Sequence, residues 1–386
     1  MTEHHTNDQR ALRAVAVQFW VNGMVVASYV PRLPGIRDKL ELDLRTIGTL
    51  IAFATAAGLV GSVGVGPAVD RFGTKRVMIG GASVLVLALP FVGIVSSAAA
   101  LLVVLGLIAA ADVFTDVAMN IQGSVLSARR HAPVMNRLHA MWSLGTVVGG
   151  VVAAAMAAWD VDLRVHLAGA SVFLLCTLLY VAPGLLTNEE RPAEDVRAPS
   201  SSTTGVSTVI VTFALLGAAA ILPEVITSDW AAFRLTDDLG ATEGLAGLAY
   251  VSFTSGMVAG RLAGDMAVHR LGGALVLQGA TLLATIGIML ATLVPAAPVV
   301  FVGLFLAGIG VSVMFPQLYD AAAQAPRPGK ALGGLTAGTR IALLVAPFLV
   351  GVLADTDALT VGAAIAIATI PAAVVLLVLT RRLHGH

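Results

Sequence analysis

Gly66-Pro67-Ala68-Val69-Asp70-Arg71-Phe72-Gly73-Thr74-Lys75-Arg76 is a short charged stretch between two apolar runs, and its reading decides the fold. One carboxylate, three basic residues and two glycines fall together in a chain in which only 12% of residues are charged. The stretch has a partner further along. Setting residues 60–73 above 259–272, an offset of 199, places Gly61 on Gly260, Ala68-Val69 on Ala267-Val268, Arg71 on Arg270 and Gly73 on Gly272. The copy is imperfect, with His269 at the Asp70 position and Asp265 at the Gly66 position. A second, weaker match sets Met119-Asn120-Ile121-Gln122 on Met314-Phe315-Pro316-Gln317. The chain therefore reads as two related halves, the parallel-repeat plan of a secondary transporter.

Composition agrees. Of 386 residues, 57% are hydrophobic, and the mean hydropathy is +0.89. A soluble domain carries about 25% charged residues, so this chain has no way to cover a water-facing exterior, and its composition argues against a soluble enzyme, a disordered scaffold and a coiled coil. Lys plus Arg and Asp plus Glu are 23 each, which leaves no basic excess for nucleic acid. The lone Cys176 makes no internal disulfide. At roughly 20 apolar residues per crossing, twelve spans are expected: 11–30, 46–67, 77–96, 99–127, 136–157, 164–186, 207–229, 243–263, 272–294, 297–323, 331–353 and 359–380. The residues 187–206, rich in Pro, Ser, Thr and charge, read as a cytoplasmic linker between an N-terminal bundle (1–186) and a C-terminal bundle (207–386). The N-terminal segment lacks the pattern of a cleaved signal, so span 1 is expected to be retained.

Basic residues set the orientation. With the N-terminus inside, sixteen Lys and Arg fall in cytoplasmic segments and six outside: Arg32, Arg37, Lys39, Arg45, Arg164 and Arg234. Arg32 and Arg37 read as solvated members of a mixed-charge loop. The remaining one, Arg340, is inside a span. Both termini are expected in the cytoplasm.

The stretch from Gly66 to Arg76 resembles motif A of the major facilitator superfamily, G-x-x-x-D-R-x-G-R/K-R/K, at the expected loop between spans 2 and 3. The resemblance covers the whole chain and implies an all-α integral membrane protein, with twelve transmembrane helices in two six-helix bundles. Asp116-Val-Ala-Met-Asn120-Ile-Gln122 and Met135-Asn-Arg-Leu-His139-Ala-Met-Trp142-Ser-Leu-Gly145 are similar to a bacterial branch near the fucose permeases, one member of which is associated with transport of a rhizopine, a cyclitol derivative. By resemblance, Gly66, Asp70, Arg71, Gly73, Lys75 and Arg76 form a cytoplasmic gate latch, in which Asp70 faces the N-terminal end of helix 11. A carboxylate there gains about 0.3 to 1 kcal/mol from the helix dipole. Gly66 and Gly73 are expected to allow the tight turn. Two exporter signatures of the superfamily are incomplete: span 4 has no arginine before Arg129, and Gly145-Thr146-Val147-Val148-Gly149-Gly150 carries Thr146 where antiporters carry proline.

Charged groups inside spans cost at least ~2.5 to 3.5 kcal/mol each and so mark function or pairing. They are Asp112, Asp116, His139, Glu224 and Arg340, with Asp229 near an interface. Asp112, Asp116 and Asn120 form a polar stripe on span 4, and Gln18 and Asn22 form one on span 1, with Tyr29 beyond. Asp116 and Arg340 lie at matching depths, about 16 and 14 Å from the inner ends of their spans, and are read as a pair joining the halves. Glu224 lies about 25 Å in. Asp116, Glu224 and His139 are the candidates for proton coupling. Asn22, Tyr29, Asp112, Asn120, Trp142 and Gln317 are the candidates for substrate contact, since superfamily helices 1, 4, 7 and 10 line the central cavity. His139 also reads as a packed histidine, Trp142 as a packing tryptophan and Glu224 as a charge at a wet outer mouth.

No Walker A sequence, no Cys/His cluster with metal-ligand spacing and no convergent nucleophile and base occur. The expectation is a transporter and not an enzyme: a proton-coupled symporter of a small sugar- or cyclitol-like solute. It would work by alternating access in the bacterial inner membrane as a monomer in the lipid bilayer. The proton gradient would be its energy source, with no cofactor, metal or nucleic acid. The alternative is a proton-coupled exporter of drugs or metabolites.

Overall fold

A computed structural model describes residues 2–130, 134–187 and 208–383, and every regular element among them is helical. The twelve α-helices are α1 (Thr2–Tyr29), α2 (Leu33–Lys39), α3 (Leu44–Ile94), α4 (Ala98–Arg129), α5 (Met135–Ala158), α6 (Leu163–Val181), α7 (Thr208–Phe233), α8 (Glu243–Leu271), α9 (Gly273–Leu293), α10 (Ala297–Ala323), α11 (Pro328–Ala354) and α12 (Val361–Leu383). Ten helices among the described residues are long and apolar enough to cross a membrane. The 51-residue α3 is two helices joined at a kink, and Gly73 alone within it has non-helical angles, φ 81° and ψ 159°. Residues 188–206, which contain nearly all of the expected linker, lie outside the described residues.

Two expectations about the charged stretch are corrected. Residues 68–76, read as a loop, are helical except at Gly73, so the chain reverses on one residue. Gly66 contributes nothing to the turn: it lies inside the helix, and a Cβ there would meet nothing within 4 Å. A φ of 81° with an extended ψ is a conformation for which glycine alone carries no steric penalty, so Gly73 suffices.

The repeat is legible in the helix boundaries. Leu44 and Glu243 begin α3 and α8, Ile94 and Leu293 end α3 and α9, and Ala98 and Ala297 begin α4 and α10; each pair differs by 199. Gly272, at 73 + 199, has φ 81° and ψ 150°. Helix contacts repeat with the same offset. A Cβ at Gly81 would press on Thr115 and on the Ala111 carbonyl, and at the equivalent positions Gly310 abuts Ala280. The small residue has changed sides, but the close approach of the two helices is kept.

The chain forms two compact units, one of residues 2–42 and 53–187, the other of 43–52 and 208–383. In the first, α1 lies against α5 through glycine. Side chains at Gly23 and Gly145 would strike the carbonyl oxygens of Trp142 and Trp20, and Gly149 lies against Met24. Small residues let helix backbones approach where lipid removes the hydrophobic drive for association. In the second unit, Gly217 and Gly338 bring α7 and α11 together on the carbonyls of Leu335 and Ala214 in the same way. Asp43 caps α3, accepting a hydrogen bond from the Thr46 backbone N–H at 2.6 Å. Its carboxyl is held below the usual aspartate range, chiefly by hydrogen bonds from the Thr46 side chain and backbone.

Two of the arginines expected in outer loops are placed differently from expectation. Arg32 is buried, not solvated. Arg234, also counted among the loop residues, is 5% exposed and donates from Nη1 to Asp238 at 2.9 Å. Asp238 accepts further bonds from the backbone N–H groups of Val361 and Gly362, at 3.0 and 2.8 Å. One carboxylate thus neutralises a buried guanidinium and caps the start of α12.

Candidate transport site

In the first unit, the polar residues of α1, α4 and α5 meet in tiers. Asn22 on α1 donates from Nδ2 to Asp112 Oδ1 on α4 at 2.7 Å, and Trp142 on α5 donates from Nε1 to Asn22 Oδ1 at 2.9 Å. Three of the substrate candidates are therefore one network, in which the indole fixes the amide and the amide fixes the carboxylate. Asn22 is buried, while Asp112 and Trp142 are half-buried. One turn along α4, Asp116 accepts from Asn120 Nδ2 at 3.0 Å, and the same amide also reaches the Asp116 carbonyl at 2.8 Å. His139 packs on Phe19 edge to face, with ring centroids 5.3 Å apart.

Gln18 completes this region. It is fully buried, on the same face of α1 as Asn22, and neither its amide nitrogen nor its amide oxygen has a hydrogen-bond partner among the described residues. Leaving a buried amide unsatisfied costs about 1–3 kcal/mol per group. Tyr29 ends α1 and is half-buried.

In the second unit, Glu224 follows Pro223 inside α7 and is half-buried. Its electrostatic partner is Arg261 on α8. The expected span 243–263 places Arg261 two residues from its end. Because α8 continues to Leu271, Arg261 lies ten residues from the helix end and belongs with the residues inside the helix. Asp229 accepts from the Ser228 hydroxyl at 3.2 Å. Arg340 is an exposed residue of α11. It and Asp116 belong to different units, so their pairing stays a proposal.

The two glutamines aligned in the weaker sequence match occupy related places. Gln122 donates to Thr74 Oγ1 at 3.1 Å and to the Leu186 carbonyl at 3.0 Å, and accepts from the Leu186 N–H at 3.1 Å. Gln317 Oε1 stands 2.7 Å from where a Cβ on Gly273 would be. Each therefore approaches the residue following a helix-breaking glycine, which puts Gln317 beside the start of α9. The Gln122 clasp was missed in the sequence because no spacing rule links an amide on α4 to the chain after α6. Arg234 and Asp238 do carry a signal, their i, i+4 spacing.

At the kink, Asp70, Arg71 and Arg76 are exposed. Arg71 stacks over the Phe72 ring, 5.2 Å from its centroid, and Lys75 donates to the Pro183 carbonyl at 3.5 Å.

Comparison with known proteins accords with this architecture. The chain is 28% identical to the uncharacterized transporter y4wD of Sinorhizobium fredii, covering 89% of this chain and 91% of that one. It is 26% identical to the membrane protein MosC of Rhizobium meliloti, covering 85% and 80%, and 26% identical to an uncharacterized MFS-type transporter of Yersinia pestis, covering 89% and 88%. Among solved structures, the fold is similar to a bacterial homolog of the lysosomal transporter Spinster (TM-score 0.74, 13% identity, 96% of each chain). It is also similar to the nucleoside transporter NupG (TM-score 0.70, 12% identity, 97% of this chain and 99% of that one) and to FucP (TM-score 0.62, 15% identity, 96% and 98%). The profile of the Major Facilitator Superfamily matches residues 15–227. With two units related by a 199-residue repeat and relatives that are transporters and not enzymes, the chain is a multi-pass membrane protein that belongs to the Major Facilitator Superfamily.

Proposed function

We propose that this protein is a proton-coupled symporter that moves a small polar solute, sugar- or cyclitol-like, by alternating access. The observation that carries the reading is the Trp142–Asn22–Asp112 network with Asp116 one turn away. An aromatic surface, an amide and carboxylates within one bundle suit a ring-shaped polyol: the indole stacks on its apolar face while the amide and carboxyl groups meet its hydroxyls. The similarity of residues 116–122 and 135–145 to the rhizopine-associated branch supports the cyclitol-like class.

In this reading there are twelve spans, the ten apolar helices with α3 counted as two at Gly73 and with α8 added. Both termini are cytoplasmic, the membrane is the bacterial inner membrane, and the protein acts as a monomer with no cofactor beyond the proton gradient. Asp116 takes the proton, and Arg340 of the second unit is its counter-charge when the inner gate closes. Glu224, opposed by Arg261, and His139 are the further proton candidates. Asp70 latches the inner gate. Purified protein in liposomes, screened against sugars and cyclitols under an imposed pH gradient, tests the reading. Gradient-dependent accumulation that fails in Asp116→Asn supports it. The second reading, proton-coupled export, would require accumulation only under the opposite gradient; the incomplete exporter signatures in spans 4 and 5 weigh against it.

A further inference from the structure

Asp112 and Asp116 are half-buried acidic residues one turn apart on α4, and among the described residues no basic side chain of the first unit lies between them to offset their charge. Among the described residues, Asp112 takes only the Asn22 bond and Asp116 only the Asn120 bonds, and neither is in ion-pair contact with a basic side chain of this unit. A like-charged pair without a cation is expensive in a low-dielectric setting.

The third component is Gln18. Two contacts fix how α1 and α4 run: Asp8 pairs with Arg129 at 3.6 Å, and Asn22 bonds Asp112 at 2.7 Å. The helices are therefore antiparallel. One turn from Asn22 toward the start of α1 is Gln18, and one turn from Asp112 toward the end of α4 is Asp116. Residues four apart share a helix face, so the face of α1 that meets Asp112 through Asn22 presents Gln18 at the level of Asp116. At that level the buried Gln18 amide, without a partner among the described residues, lies on the α1 face that is turned toward the Asp116 turn of α4. Asn120 uses its amide nitrogen on Asp116 and keeps its carbonyl oxygen as an acceptor.

We propose that Asp116, the amide oxygen of Gln18 and the amide oxygen of Asn120 form a binding site for a sodium ion, with Asp112 as the second negative charge. The donor set is all oxygen, as hard cations require. It has two acids and two neutral amides, and among the described residues no group of three or more His, Cys, Asp or Glu is arranged for a metal. That suits a singly charged alkali ion better than a transition metal or a calcium cage. With the ion bound, the Gln18 nitrogen would be left to donate to the carboxylate. This inference rests on the reading of Asp116 as the coupling group and extends it: sodium and a proton compete for one carboxylate, so either gradient drives the cycle.

The test is equilibrium binding of radioactive sodium to the purified protein in detergent, with choline keeping ionic strength constant. Saturable binding that potassium does not displace and that weakens as pH falls is expected. Asp116→Asn should abolish it. Gln18→Leu should weaken it about tenfold, the loss of one ligand, whereas Gln18→Glu, which restores an oxygen, should bind at least as well as wild type. The Glu variant guards against a folding defect at this buried position. No saturable binding in the wild type, or binding that survives Asp116→Asn, overturns the proposal. Proton-driven flux without sodium binding would overturn this inference alone and leave the symport reading standing. Sodium binding in a protein whose flux ignores both gradients would overturn the coupling reading instead.

Discussion

Gly73 and Gly272 stand 199 positions apart and share one backbone conformation, φ 81° in both with ψ 159° and 150°. Each is the single residue on which two long helices reverse. A side chain at such angles costs on the order of 1–3 kcal/mol. Gly73→Ala and Gly272→Ala are each expected to lower the melting temperature, while Gly66→Ala, inside a helix with open space around it, should be neutral or slightly stabilising. Thermal unfolding in detergent distinguishes the three.

The Asn22 amide holds Asp112 and is held by Trp142. Asn22→Leu removes the only donor among the described residues to the half-buried Asp112 carboxylate and should cost roughly 1–3 kcal/mol, whereas Trp142→Phe loses one neutral hydrogen bond and should cost about 0.5–1.5 kcal/mol. If the solute stacks on the indole, Trp142→Phe should raise its KM more than it lowers stability. Binding and unfolding measured on the same preparations check the order.

Asp238 serves a buried guanidinium and two helix-start amides at once. Asp238→Ala leaves Arg234 without its carboxylate and is expected to destabilise by about 3–5 kcal/mol. The Arg45–Asp355 pair gives the contrast. At 3.6 Å, with Arg45 57% exposed, it should contribute no more than about 1 kcal/mol, so Arg45→Ala should scarcely shift the unfolding curve.

Asp43 caps α3 in its ionised form, and its carboxyl is held below the ordinary range by Thr46. A group whose folded value is depressed stabilises above its unfolded value, and that contribution is lost as pH falls through the folded one. The gap in stability between wild type and Asp43→Ala should be full at neutral pH and close in acid, below the usual aspartate range. Thermal unfolding as a function of pH tests it.

Much of this architecture was legible in the sequence because bilayer thickness sets helix length and because the charged stretch at Gly66 to Arg76 repeats. The expected span starts at 46, 243 and 297 lie within two residues of the observed helix starts. What was not legible came from helices longer than their apolar cores. The extension of α8 to Leu271 put Arg261 ten residues from the helix end instead of two, and the helical conformation of residues 68–76 moved the whole turn onto Gly73. Among the site residues, the i, i+4 stripes on α1 and α4 were visible as periodicity. That Asn22 would bond Asp112, and that Gln18 would be left unpartnered, depends on how the two helices run against each other, which no local pattern encodes. Arg32 shows the same limit: its neighbours in sequence are loop-like, and burial comes from packing.

The central claim is that a cation carried by Asp116 drives uphill movement of solute. The most direct measurement is solute accumulation in liposomes under an imposed inward proton gradient, for wild type, Asp116→Asn and Glu224→Gln. The account predicts accumulation above equilibrium in the wild type. In Asp116→Asn only gradient-independent exchange should remain, with solute binding retained. Undiminished gradient-driven accumulation in Asp116→Asn would contradict it, whatever Glu224→Gln does.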